Sequence, residues 1–186
     1  MSNNNNPFGF LPIGRDGGGP WSVSEYAKAS AHTQAMFRGD IVFKAAISVP
    51  SPFAGAPVPG CTSLQNGTPG TTLWLGASIN YGGPALATLQ YVADDERTIF
   101  IGQGDDNTSL TVAATAGKNT NFITGTGNAT TKQSNMSFDA SAWATTAGLD
   151  IQAVRMFNRS DNAEGAYAIF EVLIKKHFKA QGALGI

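Results

Sequence analysis

Gly165–Lys176 reads GAYAIFEVLIKK. Laid out with the two-residue period of a strand, it puts Ala168, Phe170, Val172 and Ile174 on one face. Tyr167, Ile169, Glu171 and Leu173 fall on the other. Both faces are largely apolar. A strand with one wet face alternates polar and apolar, whereas a strand covered on both sides does not. The run is therefore expected to be the central strand of a barrel or sandwich.

Before this run, Asn158–Ala163 (NRSDNA) supplies a loop. Leu149–Phe157 (LDIQAVRMF) is a second strand, with Leu149, Ile151 and Ala153 on one face and Val154 and Met156 on the other. That switch of face predicts a bulge. Further upstream the strand candidates are Ser22–Lys28, Asp40–Ser48, Thr72–Ala77, Leu86–Ala93 and Arg97–Gly102, rich in β-branched and aromatic residues. Asp94, Asp95 and Glu96 lie between the last two. They read as a solvated hairpin turn that brings Tyr91 and Ile99 onto paired strands. Leu64–Gly70 (LQNGTPG) is a turn. The polar stretch from Gly104 to Ser137 is expected to hold short strands near Leu110–Ala113 and Asn121–Thr124. Asp139–Thr146 is the best short-helix candidate, with Asp139 as N-cap. Roughly eight strands and at most one or two short helices make the fold all-β, a β-barrel or β-sandwich.

The chain has 186 residues, enough for one domain with a core that needs no staples. Charged residues make up 13% and the net charge is -1. Nucleic-acid binding calls for clustered Lys and Arg, so no nucleic-acid partner is expected. The one basic run, Lys175, Lys176, His177, Phe178 and Lys179, reads as a solvated strand end. No stretch of about 18 apolar residues is present, so no membrane partner is expected. The opening MSNNNNPFGF has neither a basic n-region nor an apolar h-region, so no leader is expected. One cysteine, Cys61, in a Pro/Gly-rich loop, fits cytosolic synthesis.

Catalysis has little to work with. There are two histidines, His32 and His177, and one cysteine. Neither histidine has a recognisable nucleophile or ligand set beside it, and Cys61 has no basic neighbour. A structural zinc would take three or four Cys, His or carboxylate ligands. Asp94–Glu96 and Asp105–Asp106 lack calcium-loop spacing. We expect no catalytic residues, no cofactor and no metal. A carbohydrate-active enzyme using Asp94, Asp95 or Glu96 is the contrary reading.

Residues 1–20 (MSNNNNPFGFLPIGRDGGGP) differ from the rest. Pro7, Pro12 and Pro20 and five glycines exclude a helix or a central strand. Yet Phe8, Phe10, Leu11 and Ile13 are more apolar than a solvated linker needs. The segment reads as an extended arm on a single domain of residues 21–186, able to span up to ~65 Å. An arm folded back on its own domain is the alternative. The expected partner contacts are Asn6, Pro7, Phe8, Phe10, Leu11, Pro12, Ile13, Arg15 and Trp21. Gly14–Gly19 reads as a hinge, because the Lys-Ser/Thr ending of a phosphate loop is missing.

Several segments together resemble one family. They are Asn6–Pro20, then Phe37-x-Gly39-Asp40-Ile41-Val42, then Tyr91-Val-Ala-Asp-Asp95 with Phe100. Asn121-Phe122 with Gly125-Thr-Gly127, Leu149-Asp-Ile151, Asn162-Ala-Glu-Gly165-Ala-Tyr167 and Glu171-Val-Leu-Ile174-Lys follow in order. The chain so resembles the capsid cement, or decoration, proteins of tailed bacteriophages, which are encoded near the major capsid protein. The resemblance implies a jelly-roll or β-tulip-like domain made in the host cytoplasm and placed on the outer surface of the virion. It implies the major capsid protein as partner and a homo-oligomer, first a trimer and second a dimer. Another virion part, such as a head-fibre base, a tail component or a receptor-binding protein, is the runner-up.

Overall fold

A computed structural model describes residues 3–28, 34–49, 58–63, 72–84, 88–106 and 110–179. In chain order its elements are β1 (Leu11–Arg15), β2 (Val23–Lys28), β3 (Ile41–Val49), β4 (Val58–Ser63), β5 (Trp74–Ser78), β6 (Thr88–Ala93) and β7 (Thr98–Gln103). Then come α1 (Val112–Thr115), β8 (Asn119–Thr120), β9 (Phe122–Ile123), β10 (Ser137–Phe138), β11 (Ile151–Met156) and β12 (Ile169–Ile174). The fold is all-β. Strands β2-β4-β3-β5-β6 close into a barrel, and β1-β7-β12-β11-β8 form a five-stranded sheet. The β9–β10 pair stands beside them.

The all-β expectation holds, and so does the place of the C-terminal run. β12 lies in the middle of its sheet, antiparallel to β7 on one side and β11 on the other. Ile169, Phe170, Glu171, Val172 and Ile174 are buried. The register of β11 shifts between Ala153 and Arg155, which is the expected bulge, and it turns Val154 out to solvent. The cost of burying Glu171 is offset by Arg155 across the ladder, whose Nε stands 2.9 Å from Glu171 Oε2.

Barrel and sheet share a core. Trp74 of β5 has no solvent exposure and meets Phe122 edge-on at 5.5 Å and Phe43 at 5.9 Å. Phe122 in turn meets Phe10 at 4.9 Å. Each such ring pair adds about 0.5–1.5 kcal/mol to the burial itself. A second apolar cluster, with Tyr26, Met36, Val42, Cys61, Leu75 and Val92, belongs to the barrel.

Four local expectations are corrected. The acidic turn does not join a hairpin. β6 pairs with β2 and β5 inside the barrel, while β7 pairs with β1 and β12 in the sheet. Asp94 is also not solvated but fully buried, and it holds the end of β6 in the barrel wall. Leu110–Ala113 is not a strand. Thr111 caps α1, its Oγ1 accepting from Ala114 N at 3.2 Å, while Glu164 Oε1 accepts from Val112 N at 2.8 Å. Asp139–Thr146 is not a helix. Asp139 Oδ1 accepts from Ser141 N in a tight local turn. Ala144 exchanges both backbone bonds with Asn119, and Trp143 packs on Phe138 and Phe170. These tertiary contacts override alanine's helix propensity. Cys61 lies on β4, not in a loop. The turn at 64–70 and His32 lie outside the described residues.

Candidate functional site

The segment singled out for partner contact folds onto its own chain. The asparagine tract is stitched down at its start. Asn3 Nδ2 donates to the carbonyls of Ala163 and Ala166, both at 2.8 Å, and Asn3 Oδ1 accepts from Ala163 N at 3.1 Å. Gln103, at the end of β7, holds the next turn. Its Nε2 donates to Asn4 O at 2.8 Å and to Tyr167 O at 3.0 Å, and its Oε1 accepts from Asn6 N at 3.1 Å.

Gly9 then threads the chain past Gly39. Its φ is +77°, and a Cβ there would lie 2.5 Å from Gly39 O and from Ser134 Cβ. This close passage delivers Phe10 to the core, where it is completely buried. Phe10, one of the expected partner contacts, here fills the core of its own chain. Its ring lies over Gly102, where any Cβ would come within 2.5 Å of it.

Leu11–Arg15 follow as β1, the edge strand of the sheet, antiparallel to β7. An edge is where a strand containing Pro12 can sit, because a proline has no N–H to give a second neighbour. The register shifts between Pro12 and Gly14, and Ile13 sits at the shift, 42% exposed. Arg15 Nε pairs with Asp95 Oδ2 at 3.0 Å, and Trp21 is half-buried against the main core. Pro7, Phe8, Leu11 and Pro12 are half-buried. Of the nine predicted contacts, Asn6 and Ile13 face outward.

Two outward residues went unread in the sequence. Val23 and Tyr91 are 41% and 39% exposed. In the β2–β6 register Val23 lies opposite Ala93 and Glu25 opposite Tyr91. Val23, Glu25 and Tyr91 therefore share the outer face of the barrel, and Val23 is the diagonal neighbour of Tyr91. The signal was available: Glu25 marks the outward register of VSEYAK, and Val23 is two residues away.

Asp94, Tyr26, Cys61 and His177 are bound up in structure. Asp94 Oδ1 accepts from Ser24 Oγ at 2.9 Å, and Oδ2 accepts from Tyr26 OH at 2.8 Å and Lys179 Nζ at 2.7 Å. Burial and this carboxylate push the Tyr26 phenol well above its ordinary range. Cys61 is buried, and its thiol is pushed up to about 12. His177 is buried, which lowers its pKa, and its Nδ1 accepts from Lys179 N at 3.1 Å. The basic run is thus solvated only in part, because Lys175 and Lys179 are exposed and His177 is not. Among the described residues no group of three His, Cys, Asp or Glu could hold a metal ion. Nor is any described helix long and apolar enough to cross a membrane.

One polar cleft of about 280 Å³ opens beside the asparagine tract. Asn4, Asn6, Phe8, Gln103, Arg159 and Asp161 contribute to its walls. Comparison with models of protein families, with curated protein sequences and with solved structures finds no match to this chain.

Proposed function

We propose that this chain is a structural protein that binds other subunits, and specifically a capsid cement protein of a tailed phage. The observation that carries the first step is the placement of Val23, Tyr91 and Ile13. These apolar side chains stand outward on hydrogen-bonded strands, so they meet a partner with little ordering cost. The low charge of the chain suits a surface made to be covered. The second step rests on the ordered sequence resemblance, and it names the major capsid protein as partner and the outer capsid surface as location. Many copies on a lattice turn modest contacts into strong stabilisation of the shell. The protein acts without catalysis in this reading. Asp94, the innermost member of the acidic group, is already held by three donors and closed to a substrate.

Binding to undecorated shells tests the proposal. Purified chain is mixed with shells stripped of small proteins and sedimented. Wild type is expected to co-sediment, and Val23→Asp with Tyr91→Asp to stay in the supernatant while keeping its far-UV spectrum. Equal binding of the doubly substituted chain removes the barrel face from the reading. No binding of wild type overturns the cement assignment.

The cleft beside the asparagine tract favours the second reading, a head-fibre base, tail or receptor-binding part. Amides, the Phe8 side chain and the Arg159–Asp161 pair suit a sugar hydroxyl array. A glycan array with the purified chain decides this: saturable binding lost on Asn6→Ala supports it, and no binding removes it.

A further inference from the structure

We propose that the N-terminal segment is an exchangeable strand, and that β1 of one copy docks on β7 of a second copy of this chain. The inference stands whether or not the other partner is a viral shell.

Three observations carry it. First, residues 3–15 are held by contacts to distant parts of the chain. Phe10 rests on Gly102 and Phe122, Arg15 on Asp95, Asn3 on the 163–166 loop, and Asn4 and Asn6 on Gln103. β1 pairs with β7 from Leu11↔Ile101 to Arg15↔Thr98. A second copy's segment would reproduce every one of these contacts, so exchange loses nothing in the socket.

Second, the connection to the barrel is built to straighten. Residues 16–22 join β1 to β2, and all of them except the half-buried Trp21 are exposed. Gly17, Gly18 and Gly19 take φ of +87°, +87° and +94°. The turn is closed by Gly18 N to Arg15 O at 2.9 Å and Asp16 N to Arg97 O at 2.8 Å. Three glycines reach the extended region at no steric cost. Fully extended, the thirteen residues 3–15 span up to about 43 Å.

Third, the free edge of β1 is blunted. Pro12 has no N–H to offer a further strand, and the register shift against β7 at Ile13 bends β1. Both features disfavour the addition of a foreign strand there. The strand-binding surface of this sheet is the edge of β7 that β1 now covers, and this chain carries the segment that fits it.

The closed form is favoured in dilute solution, where the tethered segment has a high effective concentration. Exchange is favoured where many copies are crowded together, and a reciprocal swap gives a closed two-fold dimer.

Cysteine pairing tests this. In a Cys61→Ala background, one chain carries Leu11→Cys and the other Ile101→Cys. The two are unfolded, mixed, refolded at high concentration, oxidised and separated without reductant. The expected product is a covalent dimer joining the two different chains, absent when each is refolded alone. The chain carrying both substitutions shows that the positions can bond within one molecule. A second variant needs no cysteine. Deleting Gly18 and Gly19 removes the residue that closes the turn onto Arg15 O, and the protein is expected to shift from monomer to dimer in size-exclusion chromatography with light scattering. A mixed covalent dimer or a deletion dimer supports exchange. Internal bridging of the doubly substituted chain without any mixed dimer, together with a monomeric deletion variant, overturns it.

Discussion

Trp74 Nε1 donates to Asp150 Oδ1 at 2.9 Å, and neither residue has any exposure to solvent. The bond joins the barrel to the sheet. Trp74 belongs to β5, and Asp150 precedes β11 and accepts from Lys175 N through its carbonyl at 2.8 Å. The backbone repeats the connection: Trp74 N donates to Lys176 O at 2.8 Å and Phe178 N to Trp74 O at 2.7 Å. The two halves of the fold are thus bonded as well as packed.

Trp74→Phe should therefore cost more than its lost area. It leaves a buried carboxylate oxygen without this donor, a loss of about 1.5–3 kcal/mol before any cavity is counted. Asp150→Asn keeps an acceptor for the indole and should cost less. Urea midpoints followed by far-UV circular dichroism give the order. An equal or smaller loss for Trp74→Phe would show that the bond contributes little.

Phe10→Ala should destabilise by about 3–5 kcal/mol, as a fully buried ring does. Ile13→Ser, on the same segment, should change stability by less than about 0.5 kcal/mol. Gly102→Ala should also destabilise, because its Cβ would strike the Phe10 ring. In the Phe10→Ala background the same change should cost much less, so a double-mutant cycle should be strongly non-additive. Additive costs would place Phe10 elsewhere.

Asp40 gives a pH dependence with a definite sign. Burial raises its carboxyl from 3.8 to about 6 against the bond it accepts from Phe37 N at 2.9 Å. A group whose pKa is higher folded than unfolded stabilises the fold below its unfolded pKa. That contribution is lost as pH rises through the folded value. Wild type should lose stability relative to Asp40→Asn between pH 4 and 7, by about 3 kcal/mol at 1.36 kcal/mol per unit. Parallel stability curves for the two proteins would refute the assignment.

Cys61 should be inert in the native state. Its thiol is buried and pushed up to about 12, so almost no thiolate exists at pH 8. Ellman's reagent should register no free thiol until denaturant is added, and then one per chain. Rapid native labelling would mean that β4 opens readily.

The large features were legible because they are periodic. β12 announces itself by two apolar faces, and the bulge of β11 by its switch at Val154. The failures were long-range. Nothing local in DDER says whether two flanking strands pair with each other or with strands far away. The buried carboxylate that settles it, Asp94, is held by Ser24, Tyr26 and Lys179, all remote in sequence. Ala residues near 140–144 look helical until Asn119 takes both backbone groups of Ala144. In the N-terminal segment, composition excluded helix and flagged four apolar side chains. It could not separate Phe10, which fills a slot left by Gly102, from Ile13, which a bulge turns outward.

The position of β7 has a consequence for synthesis. Its two neighbours are β1 and β12, drawn from opposite ends of the described chain. The barrel uses residues 23–93 only. During synthesis all five barrel strands are translated before β12, while β7 must wait with one flank uncovered. The sheet can be completed only after residue 174 has left the exit tunnel, so the order of translation sets the order in which the two halves close.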